Sequence, residues 1–114
     1  MKYLKSISVE GVPGAVWSPP ADIYKCGKQW LVKVELAGVS KTDIQLQVRG
    51  SRLIIRGVRR DRQVLQNQIS QSMEIAYNRF ERVFEFSRAL EGAAIQTEYL
   101  DGMLLITIAT GGQA

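Results

Sequence analysis

Apolar and polar positions alternate with a period of two over most of this chain, and turn residues interrupt the alternation at short intervals. Trp30, Val32, Val34 and Leu36 share one parity while Leu31, Lys33 and Glu35 take the other, the pattern of a strand with one buried face. Ala37-Gly38-Val39 ends that strand, Gly38 being free to take a positive φ. Ser40-Lys41-Thr42-Asp43 is a polar turn, after which Ile44, Leu46 and Val48 alternate with Gln45, Gln47 and Arg49. Gly50-Ser51 connects tightly to residues 52–58, where Leu53 and Ile55 face inward. So short a link makes these two strands antiparallel neighbours.

Residues 59–70 read as a polar loop in which Gln63-Val64-Leu65-Gln66 has the composition of a brief strand. Strand character returns from Gln71, with Met73, Ile75 and Tyr77 alternating, and Asn78 suits a left-handed turn position. Phe80, Phe84 and Phe86 then face inward against Glu81, Val83 and Glu85, with Arg82 the charged member of the apolar face. Residues 87–94 form a connector of small residues with room for one helical turn. Ile95, Thr97 and Tyr99 form a short strand, Asp101-Gly102 a hairpin turn, and Leu104, Ile106 and Ile108 close the core, leaving Met103 and Leu105 on the outward face. Upstream, Ile7 and Val9 alternate with Ser6 and Ser8 as a short strand or loose arm, and Pro19-Pro20 imposes an extended lead-in. Seven or more short strands, no convincing helix and hairpin-length spacings specify an all-β, immunoglobulin-like, two-sheet antiparallel β-sandwich. The expected organisation is a short N-terminal arm (1–16), a folded domain (17–109) and a short disordered tail (110–114).

Composition narrows the chemistry. At 114 residues, 46% apolar and 23% charged, the chain is of single-domain size and ordinary globular composition. No run approaches the ~20 apolar residues of a membrane span, and Met1-Lys2-Tyr3-Leu4-Lys5 begins no apolar signal region, so no membrane partner is expected and the expected location is cytoplasmic. The single Cys26, before Gly27-Lys28 at a turn, excludes an intrachain disulfide. The absence of His removes the commonest general base, the usual metal ligand and every Ser-His or Cys-His nucleophile pair. Asp22, Asp43, Glu81, Glu85 and Asp101 fall at turns or alternate outward and form no acid–base pair, and Gly-rich phosphate loops are missing. No catalytic residue, metal or cofactor is therefore expected. The net charge of +4 gathers in Arg49, Arg52, Arg56, Arg59, Arg60 and Arg62. That patch suits phosphate contacts, a sheet edge that repels copies of itself, or pairing with acids across an oligomer interface. It lacks interleaved aromatics, so a nucleic-acid partner is not expected.

Several stretches, in their order along the chain, carry a further signal: Trp17-Ser18-Pro19-Pro20-Ala21-Asp22-Ile23, the turn within residues 35–44, Arg52-Leu53-Ile54-Ile55-Arg56-Gly57, Asn78-Arg79-Phe80-Glu81-Arg82-Val83-Phe84 and Asp101-Gly102-Met103-Leu104. Over residues 17–109 their order and spacing resemble the α-crystallin domain of the small heat-shock proteins, the Hsp20 family. The resemblance implies a sandwich without an active site, whose work is done by edges and apolar grooves. Its implied activity is that of an ATP-independent holdase, which binds partly unfolded client proteins and prevents their aggregation. The implied groove lies between the strands at 44–48 and 95–99, lined by Leu46, Val48, Ile95 and Thr97; the competing reading makes these ordinary core. The family further implies a homodimer in which a strand of loop 59–70, centred on Val64 and Leu65, pairs with the partner's sheet. It places Arg82 at or near that contact, paired with carboxylates. Independently, an arginine on a core-facing strand position needs carboxylate or carbonyl partners or costs several kcal/mol, unless a bulge turns it to solvent.

The chain departs from the family pattern at Ala37 and at Ser87-Arg88, where proline is usual, and at Thr97, where alanine is common. Its arm is short and poor in Phe, and no Ile-x-Ile tail follows Ile108; Ile106-Thr107-Ile108 has the spacing but reads as core. A dimer or small oligomer is expected, with co-assembly open to related subunits whose tails would fill the groove. The alternative function is a co-chaperone-type β-sandwich adaptor that binds a folded protein partner, which a monomeric state would favour.

Overall fold

Seven strands make up the described part of this protein, a computed structural model in which residues 16–62 and 64–110 are described. They are β1 (Ala21–Cys26), β2 (Gln29–Glu35), β3 (Ile44–Arg49), β4 (Arg52–Arg59), β5 (Asn78–Glu85), β6 (Ala94–Leu100) and β7 (Met103–Ala109), with a single 3-10 turn at Lys41–Asp43 before β3. They form two antiparallel sheets, one in the order β1-β2-β7-β6 and the other β3-β4-β5. The expected two-sheet sandwich is what the chain adopts. The arm positions Ile7 and Val9, Gln63, and tail residues 111–114 lie outside the described residues.

Side-chain parity decides which face each strand buries. Val32, Val34 and Leu36 from one sheet, and Leu53, Ile55, Phe80 and Phe84 from the other, meet in one core with Leu104, Ile106 and Ile108. Ile106-Thr107-Ile108 is core, as read from the sequence, since both isoleucines are completely buried. Burying a side chain of this size contributes roughly 1.5–3 kcal/mol, and the interdigitated sheets leave little freedom to repack. Asp101 (φ 53°) and Gly102 (φ 80°) form the β6–β7 hairpin turn, and a Cβ on Gly102 would lie 2.8 Å from the Cα of Ala37. The hairpin tip thus packs directly on the turn after β2, and the Leu36 N–H donates to the Gly102 carbonyl at 2.7 Å.

Four local expectations need correction. Residues 71–77 are not a strand, although Met73, Ile75 and Tyr77 alternate; β5 starts at Asn78, whose φ of 73° is the left-handed turn conformation the sequence suggested. Residues 64–66 likewise form no strand. Both stretches have strand composition, but among the described residues no neighbouring strand satisfies their backbone, so composition does not become structure. Residues 87–94 hold bends and a turn, with no helical turn among them. Thr110, assigned to a disordered tail, is buried, and its N–H donates to the Lys28 carbonyl at 3.1 Å.

Candidate binding groove, exposed loop and sheet edges

β3 and β6 are edge strands of different sheets, and the sandwich leaves a cleft of about 370 Å³ between them. Leu46 and Ile44 from β3, Thr97 and Tyr99 from β6, and Leu104 from β7 line it, with Lys41 and Glu98 also contributing. Of the four groove residues expected from the sequence, Leu46 and Thr97 line this cleft. Val48 and Ile95 do not; they are half-buried and pack against the core. Ile44, Tyr99, Lys41 and Glu98 were missed. Ile44 and Tyr99 were within reach of the period-two argument, because they share parity with Leu46 and Thr97.

Such a cleft offers apolar side-chain space beside two strand edges unpaired among the described residues, with an amine and a carboxylate in its lining. An extended peptide can pair its backbone with either edge and place an apolar side chain between Leu46 and Tyr99. Among the described residues no group of His, Cys, Asp or Glu is arranged to hold a metal ion.

Tyr99 fixes the β6 wall. Its hydroxyl lies 2.7 Å from the Leu36 carbonyl and 2.7 Å from the Val39 carbonyl, and its one proton serves either acceptor. Burial pushes the phenol above its ordinary pKa. Tyr99→Phe removes the donor from both carbonyls, so the expected loss is about 1 kcal/mol of stability and roughly 4–8 °C of melting temperature. A calorimetric melt of the variant within a degree of the parent protein would refute that role.

Among the described residues, half of the exposed large apolar side chains lie in the loop between β4 and β5. Val64, Leu65, Ile69, Met73 and Ile75 are between 56% and 80% exposed, far more than a chain normally leaves clustered on one segment. The expected interface centre, Val64-Leu65, is therefore only part of an apolar stretch that continues with Ile69, Met73 and Ile75, three positions of one parity. Arg82 donates from Nη1 to the Pro19 carbonyl at 2.9 Å, with its guanidinium 5.0 Å from the Phe84 ring. It has found the carbonyl partner that its position requires.

The basic patch resolves into pairs. Arg52 reaches Glu85 at 2.9 Å and Arg56 reaches Glu81 at 2.8 Å; both pairs sit directly opposite across β4–β5, where unlike charges stabilise a sheet. Arg60 grips Asp43 through Nε and Nη2 at 3.0 and 3.1 Å. That hydrogen-bonded guanidinium holds the Asp43 carboxyl below its usual range, and the Ser51 hydroxyl and Arg52 do the same for Glu85. Arg59 is different. It is only 9% exposed, and it donates from Nε to the Ala37 carbonyl at 3.0 Å and from Nη1 to the Ala76 carbonyl at 2.9 Å. Its guanidinium stacks 4.4 Å from the Trp17 ring centre. One side chain thus ties together the lead-in, the turn after β2 and the exit of the exposed loop. A count of charges along the sequence gives no sign of this.

The comparisons with known proteins agree with one another. Residues 22–113 match the model of the Hsp20/alpha crystallin family. Spore protein SP21 of Stigmatella aurantiaca is 22% identical over 99 residues, which is 87% of this chain and 57% of that protein. A heat shock protein of Dictyostelium discoideum is 26% identical over 98 residues, 85% of this chain and 24% of that protein. The chain thus spans less than two thirds of the length of either relative. Among solved structures, HspA of Xanthomonas axonopodis superimposes with a TM-score of 0.69 at 26% identity, covering 83% of this chain and 95% of that one.

Proposed function

The chain belongs to the Hsp20/alpha crystallin family, and on that premise we propose that it is an ATP-independent holdase, binding partly unfolded proteins and limiting their aggregation. The observation that carries this reading is the cleft between β3 and β6, with its apolar floor of Ile44, Leu46 and Leu104 beside two strand edges. An unfolding client exposes apolar side chains together with unpaired backbone, and this cleft complements both. Val48 and Ile95 then act as the packing that holds the two walls.

The working unit in this reading is a homodimer. The exposed loop, with Val64 and Leu65 and its continuation through Ile69, Met73 and Ile75, leaves its own fold and pairs with the partner's sheet. Arg82 holds the lead-in beside that contact. Of the sheet edges, β1 is the receiving one: β5 is partly covered by residues 16–18, and β3 and β6 flank the groove. The loop's apolar side chains would lie beside Ile23 and Tyr24, each about half exposed on β1. A subunit of related sequence can join through the same surfaces. The proposed place of work is the cytoplasm; among the described residues no helix is long and apolar enough to cross a membrane.

Light scattering of a heat-labile client, warmed with and without the protein and in the absence of nucleotide, tests this. The expected result is suppression at about one dimer per client. No suppression by a protein that remains folded would reject the holdase reading and turn attention to an adaptor role.

A further inference from the structure

Ahead of β1 the chain runs back along the outer edge of the other sheet. Trp17 and Phe80 form an isolated parallel bridge, in which the Trp17 N–H donates to the Arg79 carbonyl at 3.1 Å and the Glu81 N–H donates to the Trp17 carbonyl at 3.0 Å. Two side chains extend it: the Trp17 indole N–H donates to the Asn78 carbonyl at 3.2 Å, and the Ser18 hydroxyl to the Glu81 carbonyl at 3.1 Å. The indole stands 5.4 Å from the Phe80 ring, on the guanidinium of Arg59. Because β5 is an edge strand, residues 16–18 cover backbone groups that would otherwise invite another strand.

Among the described residues this hold is short, and its C-terminal end is anchored. Pro19 is fully buried, its carbonyl accepts from Arg82, and the Pro20 carbonyl accepts from the Glu35 N–H at 3.0 Å. Among the described residues N-terminal to that anchor, the pairing is a single bridge, Trp17 is only half-buried, and Val16 is 44% exposed. A one-bridge contact on a sheet edge lies at the low-stability end of a fold and opens without global unfolding.

We propose that residues 16–18 are a strap over a second client-binding edge, and that when the strap lifts, an extended client segment bearing an aromatic residue replaces Trp17 against Phe80 and Arg59. The chemistry of the occupant is read from the strap that now sits there. Its backbone runs parallel to β5 and pairs with Arg79 and Glu81, which any sequence can do. Its ring fills the space between Phe80 and a guanidinium, which selects an aromatic side chain. The inference deepens the holdase reading and rests on it.

Two measurements on the full chain test the proposal. In amide hydrogen exchange, the Glu81 N–H is expected to exchange about 100-fold faster than the amides of central strand β4. In fluorescence anisotropy with a labelled, permanently unfolded model polypeptide, Trp17→Ala is expected to tighten binding about ten-fold over the parent, with Trp17→Phe between the two. Equal protection of Glu81 and β4, or unchanged or weaker binding by a folded Trp17→Ala protein, overturns the strap. Should Trp17→Ala not fold, Trp17→Phe decides: tightening supports the strap and unchanged affinity rejects it. Failure of the holdase reading has its own signature, since then neither parent nor variant binds the polypeptide, and the strap as a client site falls with it.

Discussion

Replacing Gly57 with alanine is expected to destabilise this protein by about 3 kcal/mol or more. Gly57 lies in the middle of β4, opposite Ile44 on one side and Phe80 on the other. A Cβ there would sit 2.2 Å from the Asp43 carbonyl oxygen and 2.5 Å from the Phe80 Cζ. Neither obstacle is the free end of a flexible side chain. The carbonyl belongs to the 3-10 turn that launches β3, and the ring is 2% exposed and packed in the core. The methyl therefore has to push the β3 edge away from β4, tilt Phe80, or both. Tilting Phe80 would also disturb Trp17, and moving β3 would reshape the groove. The prediction is sharp because the backbone argument runs the other way. Gly57 does not have a positive φ, and alanine restricts the unfolded chain, which alone would stabilise by about 0.4–1 kcal/mol. For a domain of this size the expected fall in melting temperature is on the order of 15 °C. A denaturant midpoint equal to or above that of the parent protein would show that the close approach does not govern this position.

The second large effect is expected at Arg59. Arg59→Ala removes two charge-assisted hydrogen bonds and the stacking on Trp17, for a net loss of about 2–4 kcal/mol. The loss is smaller than the sum of the parts, because water can enter and solvate the two carbonyls and the desolvation of a guanidinium is relieved. Arg59→Lys keeps the charge but loses the fork that reaches Ala37 and Ala76 together, so it should fall between the two. A second consequence separates this role from simple packing. With Ala76 released, the exit of the exposed loop loses its tie to the β2 turn, and cleavage by trypsin at Arg60 and Arg62 should quicken ahead of global unfolding. Unchanged urea midpoints with unchanged loop cleavage would remove Arg59 from this role.

Much of the fold was legible because strand side chains alternate strictly between two faces. Once Trp30, Val32, Val34 and Leu36 share a parity, the core face of β2 follows, and Asp101-Gly102 fixes the hairpin that brings β7 beside β6. The same rule failed for residues 71–77, where Met73, Ile75 and Tyr77 alternate without forming a strand. Alternation describes what a segment can bury, whereas hydrogen bonding to a neighbour decides whether it is a strand at all. Of the four residues expected in the groove, Leu46 and Thr97 line the cleft between β3 and β6, while Val48 and Ile95 pack against the core. Parity fixes a face, but not which stretch of that face another sheet covers.

What the sequence determined by itself was the two-sheet sandwich, most of its turns and the inward sets of its strands, since these depend on local backbone preference and side-chain alternation. Only the tertiary structure decided that Arg59 is buried while Arg52, Arg56 and Arg60 face carboxylates, that Gly57 must lack a side chain, that Tyr99 holds the turn after β2, and that Trp17 lies on the β5 edge. Each of these depends on contacts between residues far apart in the chain, whose distances follow from how two twisted sheets stack rather than from any spacing along the sequence.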